Sequence, residues 1–295
     1  MNPFSDNFWP MSLLLGLVLV SGCDSKQERE YSGFLYFGAG SYLGQLDLRD
    51  GSVAVLANLG DAEIEEVSPF GDEQLLLSVF GPVTRKDPFR LMHYEFDSGG
   101  RATLIRGRHG RYLPQPEALI FDDGAHLNVR LYSESPMQEL SVVQHRFGAS
   151  VRILPVSDTR FLYSIDPDTA IAAFDVELQE SKPLAALSAR CGLGGAIWIA
   201  ERAAVLCKRQ EDVSNYALIR LDGTVQEVLE IPDASRFRAL AYLADQDALV
   251  LTEQWQTLVS GSKKHAVWIY DLKNDAMLRL AENQHLGSSV VYRRN

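Results

Sequence analysis

Ser288-Ser289-Val290-Val291-Tyr292, near the C-terminus, is a short apolar strand that its neighbours in sequence leave without a partner. Its meaning comes from the other end of the folded region. Residues 31–58 have room for three strands, whereas the units that follow have four. If the C-terminal stretch supplies the inner strand of the first unit, every unit holds four strands and the assembly closes without an open edge. That arithmetic predicts six units.

Working outward, the third strand of each unit and the acidic turn behind it give the register. They read Leu46-Asp47-Leu48-Arg49-Asp50-Gly51, Tyr94-Glu95-Phe96-Asp97, Ala173-Phe174-Asp175, Ile219-Arg220-Leu221-Asp222-Gly223 and Ile269-Tyr270-Asp271. Asp50 to Asp97, Asp175 to Asp222 and Asp222 to Asp271 are each about one repeat of roughly 45 residues. Asp97 to Asp175 is about two, with a weakly marked unit around residues 140–143. Apolar residues alternate or run four to six together, as strands do, and helical periodicity is scarce. A four-stranded meander of this length is one blade of a β-propeller. The expected fold is therefore an all-β, six-bladed β-propeller over residues 31–295, closed by the C-terminal strand joining the first blade. Seven blades or a β-sandwich are the structural alternatives. No Trp-Asp pair closes a blade and no Gly-His opens one, which argues against WD40 repeats.

Val67-Ser68-Pro69-Phe70-Gly71-Asp72-Glu73 resembles the inner-strand turn of TolB-like propellers, where Ser-Pro-Asp-Gly precedes the second strand; Phe70 stands here in place of the Asp. The blade ending Ile269-Tyr270-Asp271-Leu272 is similar to theirs as well. The resemblance implies the six-bladed architecture.

The first thirty residues carry a separate signal. Residues 11–20, MSLLLGLVLV, are apolar but shorter than the roughly 20 residues a bilayer span needs, and match the core of an export signal. Val20-Ser21-Gly22-Cys23 resembles the bacterial lipobox, which implies a signal peptide over residues 1–22 and a diacylglycerol thioether on Cys23. Acyl chains on that thiol and on the freed amine would anchor the chain stably. Residues 1–10 lack the Lys or Arg usual in export signals, and Met11 is an alternative start. Residues 23–30 are polar and read as a tether. Asp24 resembles the residue that retains lipoproteins in an inner membrane. The expected location is the cell envelope, lipid-anchored and facing the periplasm.

A net charge of −11 excludes a general nucleic-acid binder, which needs a basic footprint. Metal, phosphate-loop and nucleophile-elbow motifs are missing, so the sequence assigns no catalytic residue, no metal ligand and no cofactor. Gly192-Leu193-Gly194-Gly195 precedes a strand rather than a helix, which fails the nucleotide-loop context. Cys191 and Cys207 invite a disulfide, but register argues against it. With a turn at Glu201-Arg202, Cys207 stands opposite Ala196, too far from Cys191 unless the intervening loop curls back.

Sorting charges by propeller rim gives an asymmetry. One rim collects acids, among them Asp50, Asp97, Asp122, Asp123, Asp222 and Asp271. The other collects Arg85, Lys86, Arg106, Arg108, Arg111, Lys208, Arg209, Arg236, Arg238, Lys263 and Lys264, with acids mixed in at Asp61, Asp87, Asp166, Asp168, Glu211 and Asp212. The sharpest patch is Arg106-Gly107-Arg108-His109-Gly110-Arg111. Trp255 lies in a long loop on the same side, and tryptophan with arginine is the composition of interface anchors. Arg106, Arg108, His109, Arg111, Arg85, Lys86, Trp255, Lys263 and Lys264 are the candidate binding site for a protein or envelope polymer. The favoured function is a non-catalytic binding or scaffolding module. The alternative is a lactonase-like hydrolase with a channel metal; it would need acidic inner strands, where only Glu65, Glu66 and Glu117 stand out.

Overall fold

The structure, a computed structural model, describes residues 31–81, 88–132, 137–166, 168–209, 215–231, 236–256, 263–282, 286–287 and 289–294. Six four-stranded antiparallel sheets make a ring. Blade 1 contains β1 (Phe34–Ala39), β2 (Tyr42–Asp47) and β3 (Val53–Asn58). Blade 2 is β4 (Glu63–Pro69), β5 (Gln74–Phe80), β6 (Phe89–Glu95) and β7 (Arg101–Arg106). Blade 3 is β8 (Arg108–Leu113), β9 (Ala118–Asp122), β10 (His126–Leu131) and β11 (Gln138–Gln144). Blade 4 is β12 (Val151–Pro155), β13 (Arg160–Ile165), β14 (Asp168–Asp175) and β15 (Glu180–Pro183). After a helical turn, α1 (Ala185–Ser188), blade 5 is β16 (Ile197–Ile199), β17 (Ala204–Lys208), β18 (Tyr216–Arg220) and β19 (Val225–Leu229). Blade 6 is β20 (Phe237–Leu243), β21 (Ala248–Gln256), β22 (Lys263–Asp271) and β23 (Ala276–Glu282). The last strand, β24 (Val290–Arg293), returns to blade 1 and pairs with β1, with Tyr292 opposite Leu35 and Val291 opposite Tyr36. Inner strands β24, β4, β8, β12, β16 and β20 then touch in circular order.

Closure has an energetic counterpart. Each pair of neighbouring blades buries its own apolar seam, and the seam between blades 6 and 1 sets Leu35, Phe37, Leu46 and Leu48 against Leu243, Val250, Val267 and Ile269. Burying one such side chain stabilises by about 1.5–3 kcal/mol relative to leaving it exposed. Burial grades outward within a blade. The second strands β5 and β9 are buried almost throughout, because packed sheets cover both their faces. The outer strands β3, β7 and β15 are largely exposed. Apolar runs in the sequence therefore mark second strands best.

Strand direction alternates within each blade. Inner-to-second and third-to-outer turns share a first rim; second-to-third and blade-to-blade connections share a second rim. The acids of the first rim serve the backbone: Asp47, Asp50, Asp175, Asp222 and Asp271 each accept a turn N–H two residues on, as short carboxylates do in tight turns. Residues 31–33 enter the ring on this rim. Ser32 exchanges backbone hydrogen bonds with the Gln246 side chain at 3.0 and 2.9 Å, and the Tyr31 hydroxyl reaches Asp271 at 3.3 Å.

Two expectations are corrected. In blade 3 the inner strand is β8, so residues 140–143 belong to the outer strand rather than the third. Glu117 lies in the turn between β8 and β9, not on an inner strand, and Asp122 and Asp123 lie on the second rim. The reason is that β8 reads RHGRYL, with few apolar side chains. Reading by apolar runs passes over it and shifts the blade by one strand. The second correction is the disulfide. Cys191 and Cys207 are bonded, with Cα atoms 5.8 Å apart. The hairpin register is the expected one, with Ile197 opposite Leu206. The chain before it curls back, however, and Cys191 forms an isolated bridge with Arg209.

Candidate functional site

The arginine-rich stretch is largely an internal network. β8 carries a bulge between Arg108 and Arg111, and His109 adopts a left-handed φ of 56°. A bulge re-aims the side chains on either side of it. On one side, Arg108 Nε donates to Asp122 Oδ2 at 2.7 Å, its other nitrogen reaches the Ala149 carbonyl at 2.9 Å, and its guanidinium covers the Phe89 ring. Asp122 is fully buried, and its second oxygen lies 3.2 Å from His145 Nε2 and accepts the Gly124 N–H. On the other side, Arg111 donates to Glu66 Oε2 at 2.9 Å, while His109 Nδ1 lies 3.1 Å from Glu66 Oε1. Burial would raise the Glu66 pKa, but the Arg111 charge and the His109 bond outweigh it and hold this carboxyl far below its usual range. Between these clusters Gly110 packs where a Cβ would stand 2.8 Å from Leu76 and Leu91. The Glu66 pairs thus join blade 2 to blade 3, while the Asp122 pairs brace blade 3 itself.

A different set of cations is arranged around a cavity. Arg152, near the start of β12, Lys208, at the end of β17, and Arg238, near the start of β20, line a cavity of about 350 Å³ with Gly194, Gly195 and Tyr216. The three come from blades 4, 5 and 6, and all lie at the second-rim ends of their strands. No acid is among the described lining residues. Tyr216 sets two of the cations. Its hydroxyl donates to the Phe237 carbonyl at 3.0 Å and accepts the Ala239 N–H at 2.9 Å, clasping the backbone on both sides of Arg238. Its ring lies under Lys208, with Nζ 5.5 Å from the centroid. The disulfide sets the remainder: Cys191 opens the glycine loop and Cys207 immediately precedes Lys208.

The electrostatics are those of a cationic cleft. Arg238 is open to solvent but stands in a concave mouth. Desolvation there, and then the like charge of Arg152, hold its pKa below the usual arginine value. Burial likewise lowers Lys208. Among the described residues, no carboxylate pairs with Arg152 or Lys208.

The residues singled out in the sequence are not all gathered here. Arg106 is exposed at the end of β7. Trp255 and Lys264 stand opposite each other in the β21–β22 ladder, and Lys263 pairs with Gln256, toward the second-rim tip of that hairpin. Cys23, Asp24, Arg85 and Lys86 lie outside the described residues. Lys208 and Arg238 stood among the cations sorted to this rim. Arg152, inside a strand, carried no signal, and the glycine run was legible but fitted no nucleotide loop. Among the described residues no group of three His, Cys, Asp or Glu side chains could hold a metal ion, and no helix is long and apolar enough to cross a membrane.

No family model and no curated protein matches the chain. Solved structures do. A chain of the nidogen–laminin complex superposes with a TM-score of 0.60 at 12% identity, covering 88% of this chain and 96% of that one. TolB from Acinetobacter baumannii matches with a TM-score of 0.57 at 11% identity, covering 88% of this chain and 65% of its own. A protein of unknown function from Bacteroides caccae matches with a TM-score of 0.59 at 10% identity, covering 90% of this chain and all of its own. At these identities the likeness shows the fold.

Proposed function

We propose that this protein is a non-catalytic binding propeller, held at the bacterial cell envelope by lipid on Cys23, that captures a protein or envelope polymer through anionic groups at its second rim. The observation that carries the reading is the convergence of Arg152, Lys208 and Arg238 on one cleft, with no carboxylate paired to Arg152 or Lys208 among the described residues, in a chain of net charge −11. A cluster of one sign in a concave site focuses the field and raises the local concentration of an opposite partner. The same rim carries Arg106, the β21–β22 tip with Trp255, Lys263 and Lys264, and the loop bearing Phe147, which is 85% exposed. An exposed aromatic beside cations suits a partner surface. Arg85 and Lys86, between β5 and β6, belong to the same candidate surface by sequence.

The test is capture from native envelope extract by the wild-type protein and by a variant combining Arg152→Gln and Lys208→Gln. The expected result is capture that weakens as salt rises and falls about tenfold in the variant, a change of about 1.4 kcal/mol in binding. Equal capture by both proteins would remove the cleft from the binding site. For the anchor, a Cys23→Ser variant is expected to move from the membrane fraction to the soluble one; retention in the membrane would refute lipidation there.

A further inference from the structure

We propose that the outer strand of blade 1, β3, pairs edge to edge with β3 of a second copy of this chain. The free side of an outer strand presents a row of unpaired N–H and C=O groups, which is a template for another strand. Five of the six outer strands carry exposed charge, which discourages such pairing: Arg106 in β7, Glu139 in β11, Lys182 in β15, Glu227 in β19 and Glu282 in β23. β3 reads Val53-Ala54-Val55-Leu56-Ala57-Asn58, with neither charge nor proline. A bulge against the third strand recurs in five of the six blades, blade 1 included, so it does not set β3 apart. Val53, Ala54 and Val55 are exposed, Val55 at 64%. On β2, Gly44 lies opposite Val55, and the exposed Tyr42, two residues away, shares its face. Among the described residues no strand pairs with the outer side of β3.

The occupant is a second copy because the edge complements itself. In an antiparallel pair centred on Val55, Val53 of each copy stands opposite Ala57 of the other. The turn of Arg49 and Asp50 before the strand then lies toward Asn58 and Asp61 of the second copy. Arg101 belongs to that end, since it donates to the Asn58 carbonyl at 2.9 Å. Asp50 is thus matched with Arg101 and Arg49 with Asp61, and the match occurs at both ends, as a two-fold contact requires. Two chains of net charge −11 repel each other, and an uncharged strand is where they approach with least repulsion. The geometry also suits copies anchored in one bilayer. Adjacent strands turn by about 20–25°, so an outer strand lies about 60–75° from the inner strand that runs along the channel. Joining two such edges sets the rings side by side, their acidic rims inclined to the same side rather than opposed. The six residues of this edge cover less than the roughly 1,600 Å² of a standard interface. Confinement by the lipid proposed at Cys23 raises the effective concentration and offsets that shortfall.

The experiment is thiol cross-linking of the full-length lipidated protein in phosphatidylcholine vesicles, with a short bis-maleimide and the variant Val55→Cys. Cys191 and Cys207 are bonded to each other, so position 55 supplies the reactive thiol. A cross-linked dimer is expected from Val55→Cys and none above background from Val228→Cys, an exposed position on the outer strand of blade 5. Adding Val53→Lys, which puts charge on the edge, or Arg101→Glu, which sets an acid against Asp50, should lower the dimer about fivefold or more, with near-ultraviolet circular dichroism unchanged. Arg101 is exposed and outside β3, so Arg101→Glu carries the test by itself if Val53→Lys fails to fold. Equal cross-linking at positions 55 and 228 reports random collision and overturns the pairing. So does a dimer that survives both added substitutions, or the absence of any dimer in the vesicles. A Val55→Cys adduct formed in native envelope only with a different protein overturns the second copy as the occupant.

Discussion

Two sets of cations occupy the second-rim side of this ring, and they differ in what faces them. In blade 3 and at its contact with blade 2, Arg108, His109, Arg111 and His145 are met by two carboxylates, Asp122 within blade 3 and Glu66 from blade 2. Between blades 4, 5 and 6, Arg152, Lys208 and Arg238 line a cavity, and among the described residues no carboxylate pairs with Arg152 or Lys208. The first set is dense in sequence and structurally saturated. The second is scattered over more than eighty positions of the chain and is assembled by the ring. Density of charge along a sequence and availability of charge in space are separate properties, because only the fold decides whether a countercharge lies opposite.

The difference can be broken by mutation, and the largest effect belongs to the saturated side. Asp122→Ala strands Arg108 and His145 around a buried vacancy and should cost about 3–5 kcal/mol in denaturant unfolding. A loss under about 1 kcal/mol would mean that these pairs do not brace blade 3. On the open side, replacing Cys191 and Cys207 together by Ser removes a link across a sequence separation of 16. The expected cost is roughly 3 kcal/mol, accompanied by weaker anion binding as the glycine loop loosens. Full binding without the bridge would show that the loop does not shape the cleft.

Acid sharpens the contrast. Because the folded pKa of Glu66 is depressed, its contribution to stability is fully present above its ordinary value of 4.5 and is lost as pH falls below that. Thermal melts from neutral pH downward should therefore show a steep acid limb in the wild type. In Glu66→Gln the whole curve should lie lower, with a shallower acid limb; an unchanged slope would contradict the assignment. The smallest effect is expected from Arg152→Gln, within about 0.5 kcal/mol of wild type and on the stabilising side, since Arg238 loses a like charge. Stability that drops by several kcal/mol would make Arg152 structural and erase the distinction between the two sides.

Much of the fold was legible because blade architecture writes itself in apolar second strands and acidic turns. Leu75-Leu76-Leu77 and Asp271 are examples, the first enclosed on both faces and the second capping its turn. The strand Val290–Arg293 was legible by counting, since a closed ring requires it. β8 was misread because RHGRYL is spent on ion pairs and a bulge rather than on burial. The disulfide was misread because register describes ladders, and Cys191 reaches its partner through a loop outside the ladder. The cleft was only half legible. Lys208 and Arg238 are visible at strand ends, but their convergence with Arg152 depends on the angular spacing of three blades, which no local pattern encodes.

The point at which residues 31–33 dock has a consequence for orientation. They join the ring on the acidic rim, through Ser32 and Gln246, while the cleft opens at the opposite pole. On the proposed anchor at Cys23, the ring would hang with its negative pole toward the lipid and stand off from anionic headgroups. Its receptive pole would then look away from its own bilayer, like a cup held out at arm's length, toward whatever crosses the space beyond.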